Sequence, residues 1–323
     1  MRSVFTSRRF STVLFCASIA FAALAASAPT ARAQTYGFAT LQPGTLNHTT
    51  ASAIAKVLKE KAGLNVLVQP TAGDQVIVPM VAQGEAEIGI SNAMEVHDGL
   101  SKGFKELRII AAAHALRVGF FARKDGDIRT VADLKGKRVP YGFSAMRALE
   151  PTVRAILATA DLSEKDIKPV LVPNVIRSAD DFASGAADAF YFAFGAPKVR
   201  EVDATVGGIR MTEINEQRMD AARKIERWGY LTDIGPGPVF VGVEKQMKVY
   251  SFDNLLFTSA KTSDEFVFKM LETMLNNKDD LVAVQPVLRE FSAPFAYKQY
   301  EVAYHPGAVK YFQQHNVAPK AVD

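Results

Sequence analysis

Side chains able to do chemistry are scattered along this chain, and few fall into a catalytic spacing. Gly142-Phe143-Ser144-Ala145-Met146 begins like the elbow that exposes a nucleophilic serine, but its closing glycine is absent. No Walker-type phosphate loop, no dinucleotide-binding G-x-G-x-x-G and no H-E-x-x-H occurs. The five histidines, at 48, 97, 114, 305 and 315, lack the spacing of metal ligands. No metal and no cofactor are therefore expected. Asp180-Asp181 and Asp279-Asp280 read as solvated helix starts. Active sites assemble from distant residues, so missing motifs lower the expectation of an enzyme without excluding one.

Binding chemistry is better represented. Three turns rich in small and polar residues each precede a helix: Gly44-Thr45-Leu46-Asn47-His48-Thr49-Thr50, Pro70-Thr71-Ala72-Gly73-Asp74 and Tyr141-Gly142-Phe143-Ser144. A helix N-terminus carries unpaired N–H groups and a partial positive charge. Several such ends converging on one cleft hold an anion without needing an arginine. Helix capping alone also accounts for Thr, Asn, Asp and Ser at these places. In open α/β sheets ligands sit beyond the carboxyl ends of the strands, where these turns fall.

The elements that must position the turns alternate almost throughout. Ala51, Ile54, Ala55 and Leu58 mark one face of a helix over about 50–61, stopped by Gly63. Leu64 to Gln69 reads as a strand, Gln75 to Gln83 as a helix ended by Gly84, and Glu87 to Ile90 as a strand. Leu107 to Ala113 is a continuous apolar run, the pattern of a buried parallel strand. Thr130 to Asp133 has capping-box spacing. A helix is expected over Thr152 to Ala160, a crossover over Gly229 to Pro238, a strand over Val239 to Val243 and a helix over Ser263 to Asn276. Gly84-Glu85-Ala86-Glu87 is echoed by Gly185-Ala186-Ala187-Asp188, as two ordinary helix stops or as the same turn in two similar lobes. The alternation predicts an α/β fold with largely parallel sheets.

The first 33 residues read as a secretion signal. Arg2, Arg8 and Arg9 precede an apolar stretch over 13–26, and Ala31-Arg32-Ala33 offers a small-x-small cleavage site. The stretch is short for a membrane anchor. Ser7-Arg8-Arg9-Phe10 faintly resembles a twin-arginine signal. No lipid anchor is expected at Cys16, the chain's one cysteine, so the mature chain would have no thiol. Without the leader's four arginines the 38 basic residues become 34, equal to the 34 acidic ones. No basic stripe is left to recruit nucleic acid or an anionic membrane. About 290 residues remain, enough for two domains.

Several motifs in order resemble a known family. Thr71-Ala72-Gly73-Asp74 followed by Gly84-Glu85-Ala86-Glu87-Ile88-Gly89-Ile90 resembles the T-G-G-S … G-E-A-D-[IL]-G pattern of TAXI-type receptors. Those are solute-binding proteins of tripartite ATP-independent periplasmic (TRAP) transporters. Val131 to Val139 is similar to the family's L-A-D-L-K-G-K-R-V. Gly185 to Phe192 with Gly195-Ala196-Pro197 is similar to its G-x-[IA]-D-A-F-F and G-x-P. His305-Pro306-Gly307-Ala308 with Tyr311 resembles its H-P-G-A-x-x-Y. The resemblance implies a two-lobed, type II periplasmic binding fold with two crossover hinge segments. After the signal peptide at 1–33, one lobe would hold 34–118 plus 236–323 and the other 119–235. It also implies a periplasmic monomer that closes on a small carboxylate, such as an amino or keto acid, and delivers it to TRAP membrane subunits. A receptor for an ABC importer or a sensor kinase, or a secreted lyase on the same fold, stands as the alternative.

Carried over residue by residue, the resemblance places Thr45, Asn47 and His48 in the first turn, with Asn47 and His48 as ligand donors. His48 reads equally as a helix-start cap. Thr71 and Gly73 match the second turn, and Asp74 stands where serine is usual. A carboxylate there competes with a bound anion, so Asp74 either caps its helix or pairs with an ammonium or hydroxyl group. Ser91 and Asn92 end the next strand facing the cleft. In the second lobe only Ser144 survives of the family's G-S-G-T; Phe143 and Met146 suggest a drier pocket. Arg147 is either a bidentate carboxylate ligand or a surface arginine. Phe192, Phe194 and Gly195 close the set, as stacking groups or as core.

Overall fold

Strand β1 (Thr35–Thr40) opens the described part of the chain, residues 34–322 of the computed structural model. The expected leader lies outside the described residues. After β1 come α1 (Leu46–Ala62), β2 (Asn65–Pro70), α2 (Asp74–Gln83), β3 (Ile88–Asn92) and α3 (Ala93–Ser101). The long β4 (Leu107–Arg123) leads to β5 (Arg138–Tyr141), α4 (Leu149–Ala158), β6 (Lys168–Leu171), α5 (Val175–Ala183) and β7 (Phe190–Ala193). Then follow α6 (Pro197–Val206), β8 (Ile209–Met211), α7 (Met219–Arg223) and β9 (Tyr230–Ile234). A second long strand, β10 (Met247–Ser259), precedes α8 (Asp264–Asn276), α9 (Lys278–Val284), α10 (Ala293–Ala296) and α11 (Pro306–Gln314).

Local chemistry sets most boundaries. Helix α1 starts earlier than its apolar spacing predicts. Thr45 caps it, its Oγ1 accepting the His48 N–H at 3.3 Å, and Leu46 and Asn47 are already helical and buried. Gly63 ends it in the left-handed region at φ 67°. Thr130 and Asp133 form the expected capping box, over a single 3₁₀ turn at Val131–Leu134. Gly84 and Gly185 share φ values of 83° and 82°, so the sequence echo is a repeated backbone turn. Asp279 and Asp280 do lie in the first turn of α9. Asp181, by contrast, sits inside α5, where it pairs with Arg177 one turn earlier at 2.7 Å.

The sheet corrects one expectation in detail. Its order is β2-β1-β3-β10-β4-β7, with β8 also on β4 and β9 also on β10. β1 runs parallel to β2 and β3, and β5 runs parallel to β6 in a separate two-stranded sheet. Every strand that pairs with β4 or β10 runs antiparallel to it, and β4 adds one isolated parallel bridge, Ile109↔Tyr304. The class is α/β as expected, with a mixed sheet. The Leu107 to Ala113 run belongs to an antiparallel strand because a central strand buried on both faces is apolar throughout, whatever its direction.

Strands β4 and β10 form the crossover ribbon of the two-lobed fold. They pair from Leu107↔Ser259 to Val118↔Tyr250. One end of the ribbon joins β1–β3 through β10, and the other end receives β7, β8 and β9. The second crossover is thus β10, later than the Gly229 to Pro238 stretch, which forms β9 and the turn after it. Val239 to Val243 is turn rather than strand, with Gly242 at φ 85°.

Midway along β10, Asp253 is 2% exposed and collects four hydrogen bonds. Tyr230 and Tyr300 donate at 2.8 and 2.6 Å, and the Lys298 ammonium donates to both carboxylate oxygens at 2.8 and 2.9 Å. A buried pair satisfied this fully is costly to break from one side, because the remaining charge stays desolvated. Asp253→Ala is expected to lower unfolding stability by about 3–5 kcal/mol in urea titration. A loss below about 1 kcal/mol, the scale of an exposed pair, would show that the ion pair does not hold the ribbon.

Candidate functional site

Five helices bring their N-terminal residues to one small chamber against the ribbon. Thr45, Leu46 and Asn47 come from the start of α1, Asp74 from the start of α2 and Asn92 from the cap of α3. Leu149 and Val175 are the first residues of α4 and α5. Leu116 and Val118 of β4 and Phe252 of β10 form the back wall, and Met146, Tyr191 and Phe192 close the opposite side. The cavity is about 40 Å³. That is room for about three waters, so the walls are nearly in contact.

The polar groups of the chamber are held from behind. Asn254, 0% exposed, donates to Asn47 Oδ1 at 2.9 Å and to His114 Nε2 at 3.2 Å. His114 Nδ1 then donates to the Ala115 carbonyl at 3.1 Å. Burial lowers the His114 pKa to about 4, so the ring is neutral and serves as acceptor for Asn254. With its carbonyl oxygen occupied, Asn47 keeps its amide N–H groups as donors. Asn92 caps α3, its Oδ1 accepting the Glu95 N–H at 2.8 Å. Ser91 donates to Asp74 Oδ1 at 2.7 Å.

Asp74 is 2% exposed, and burial raises its pKa to about 6 against the opposing effects of Ser91 and its own backbone N–H. It also borders a larger groove of about 780 Å³ that opens to solvent beside the chamber. Glu95, 4% exposed on α3, lines the same groove. Its pKa is raised to about 8, by burial first and by the Asp74 charge second. The Ala148 backbone N–H, at the start of α4, acts in the opposite direction. The close packing of Gly73 on the Ala145 carbonyl makes a seam between the α2 side and the α4 side. A Cβ on Gly73 would overlap the Ala145 oxygen.

Of the sequence-selected residues, Thr45, Asn47, Asp74, Asn92 and Phe192 line the chamber, and Ser91 supports it through Asp74. Gly73 belongs to the seam. Thr71 turns to the Gly73 carbonyl, its Oγ1 donating at 3.2 Å. His48 lies outside the chamber lining on α1, half-buried, with a pKa lowered by that burial. Phe143 is 0% exposed and packs edge-on against Tyr191, so its ring is core. Ser144 is exposed, its N–H donating to the Val172 carbonyl at 3.2 Å. Phe194 is buried between Phe121 and Phe240, and Gly195, at φ 79°, packs near Val287 and Leu46. Arg147 is exposed and lines the groove rather than the chamber. Sequence reading missed Glu95 and the ribbon residues Leu116, Val118 and Phe252. Glu95 stands three residues after Asn92, the spacing of a capping pair, which conceals any further role.

The chain belongs to the NMT1-like family, whose sequence profile matches residues 38–315. Solved structures share the fold at low identity. The methylphosphonate complex of PhnD1 from Prochlorococcus marinus superposes with a TM-score of 0.55 at 11% identity, covering 88% of this chain and 99% of that one. The alkanesulfonate-binding protein SsuA from Xanthomonas axonopodis pv. citri, bound to MOPS, gives 0.51 at 15% identity, covering 88% and 94%. A binding-protein component of an ABC phosphonate transporter from Pseudomonas aeruginosa gives 0.50 at 12%, covering 79% and 78%. The fold is thus that of two-lobed periplasmic binding proteins.

Gly73→Ala should prevent the seam from closing, since the added methyl and the Ala145 carbonyl cannot share one place. Small-angle scattering should show a larger radius of gyration for the variant under conditions that close the wild type. Equal radii would contradict a closed seam at this point.

Proposed function

We propose that this protein is a solute receptor that is exported to the periplasm by its leader, encloses a small organic acid between its lobes, and presents it to a membrane transporter. The observation that carries this reading is the convergence of five helix N-termini on a chamber with no lysine or arginine in its lining. Their partial positive charges favour an anionic group. The Asn47 amide adds a donor fixed from behind by Asn254. Mostly apolar walls exclude water, which strengthens each of these interactions. Micromolar capture needs about 8.2 kcal/mol. A few charge-assisted hydrogen bonds of about 1.5–3 kcal/mol each supply most of that, and no covalent step is required.

Small enclosed volume and a two-lobed fold imply that the ligand enters an opened state and is covered as the seam forms. The ordered motifs from Thr71 to Tyr311 support a TRAP-type membrane partner. The ABC transport component among the structures of similar fold supports the other partner class. A gene for a multi-spanning permease beside this one would favour the first, and a gene for a transport ATPase the second. The family's binding-protein fold and the lack of a nucleophile–base pair among the chamber side chains support a receptor over an enzyme.

Thermal-shift screening over carboxylates, amino acids, sulfonates and phosphonates tests the reading. A ligand at a hundredfold excess over its Kd should add about 2.7 kcal/mol of stability. No stabilisation by any member of a broad panel would contradict the receptor function. Arg147 lies outside the chamber, so Arg147→Ala should leave the affinity of the selected acid within about threefold, as for a charge at a rim. A tenfold loss would bring Arg147 into contact with the ligand.

A further inference from the structure

Two buried carboxyl groups, Asp74 and Glu95, line the groove, and neither is in a salt bridge. Asp74 borders both spaces. Its carboxyl is served only by the Ser91 hydroxyl and its own backbone N–H, leaving acceptor positions free. Glu95 Oε1 is buried without any hydrogen-bond partner while the side chain lines the groove. Among the described residues no ion pair reaches either group. Lys102, the residue that follows α3, pairs with Asp98 at 2.5 Å. A buried carboxyl oxygen left unpaired costs stability unless something else fills the place.

We infer that Asp74 and Glu95 form an ammonium subsite, so that the receptor selects zwitterionic acids over acids lacking an amine. This rests on the receptor reading and narrows its ligand class. The carboxylate of the ligand would lie in the chamber, facing the helix N-termini and the Asn47 amide. Its ammonium would point back toward the groove and donate to Asp74 and to the unpartnered Glu95 Oε1. A primary ammonium carries three donors and suits two carboxyl acceptors. A keto or hydroxy acid brings no charge to the pair and leaves the Glu95 oxygen unserved. Among the described residues no group of three or more His, Cys, Asp or Glu side chains is placed to hold a metal ion.

Binding of an ammonium group favours the ionised pair, so complex formation should release protons and tighten with pH. Asp74, with its pKa near 6, and Glu95, with its pKa near 8, both ionise as pH rises over this range. The other charged groups around the groove are Asp98 on α3, Lys102 just after it, Arg147 before α4, and Arg223, Lys224, Glu226 and Arg227 at and after α7. Lys102 and Asp98 act on Glu95 in opposite directions. His97 borders the groove too, but its ring is bonded to Glu301 at 2.5 Å.

Calorimetry with matched probes tests the subsite: L-alanine, L-lactate and pyruvate, and L-leucine with 4-methyl-2-oxopentanoate. In each set the amino acid should bind at least about tenfold more tightly than its amine-free partners, the scale of one charge left without its mate. Asp74→Asn and Glu95→Gln, which keep shape, should each reduce that preference about tenfold or more. Titration in two buffers of different ionisation enthalpy should detect proton release by the wild type at pH 7, and affinity should rise from pH 5.5 to 8.5. Equal affinity for amino and amine-free acids, or preference unaltered in both variants, would overturn the subsite while leaving the receptor intact. Failure of every probe together with the broader panel would overturn both.

Discussion

The antiparallel pairing of β4 with β10 is the constraint on which the rest of the structure depends. These two strands carry the chain from one lobe to the other and back, and they share one hydrogen-bonded ribbon from Leu107↔Ser259 to Val118↔Tyr250. Because the ribbon is central, both of its faces are buried, which explains the apolar run at the start of β4 and why the polar groups it does carry, such as His114, Asp253 and Asn254, are held in hydrogen bonds. It also supplies the back wall of the chamber through Leu116, Val118 and Phe252. Asp253, next to Phe252, ties the ribbon to β9 through Tyr230 and to the C-terminal segment through Lys298 and Tyr300. The floor of the site and the pivot of the lobes are therefore one object.

On that floor the chemistry is set by backbone as much as by side chains. Helix N-termini are cheap sources of positive potential, since their N–H groups cannot be satisfied within the helix. Five of them meeting at one chamber create a field that would draw in any anion. Asp74 tempers it. A fixed carboxyl beside those dipoles repels a simple dianion and attracts a ligand carrying both signs of charge. Burial opposes ionisation of Asp74, and its nearness to Glu95 makes the second carboxyl harder to ionise still. The pair is thus poised to respond to a cation rather than to exist as two free charges.

Much of this was legible in sequence, and what was not has identifiable causes. The α/β class, the glycine stops at Gly63 and Gly84, and the polar turns before α1 and α2 follow from short-range rules of capping and periodicity. Strand direction does not: a run such as Leu107 to Ala113 reports burial, and burial is the same for a central strand of either sense. The later crossover was misplaced because Gly235-Pro236-Gly237-Pro238 is a strong local signal, whereas β10 betrays its role only through partners distant in sequence. Within the site, turn residues were found where their backbones must cap a helix, as with Thr45 and Asn92. Phe143 and Phe194 stand at positions open to ligand contact or to core, and side-chain direction sends both into the core. Glu95 went unnoticed because a capping spacing already explained it.

The central claim is that a small acid is captured in the chamber between Asp74 and Phe192, against the β4–β10 ribbon. A crystal structure of the protein with a ligand found by screening tests it most directly. The account predicts ligand density inside that chamber, a carboxylate within hydrogen-bond distance of the Asn47 amide and the helix N-termini, and contacts from both lobes. Ligand bound elsewhere, with the chamber collapsed and the ribbon untouched, would contradict it.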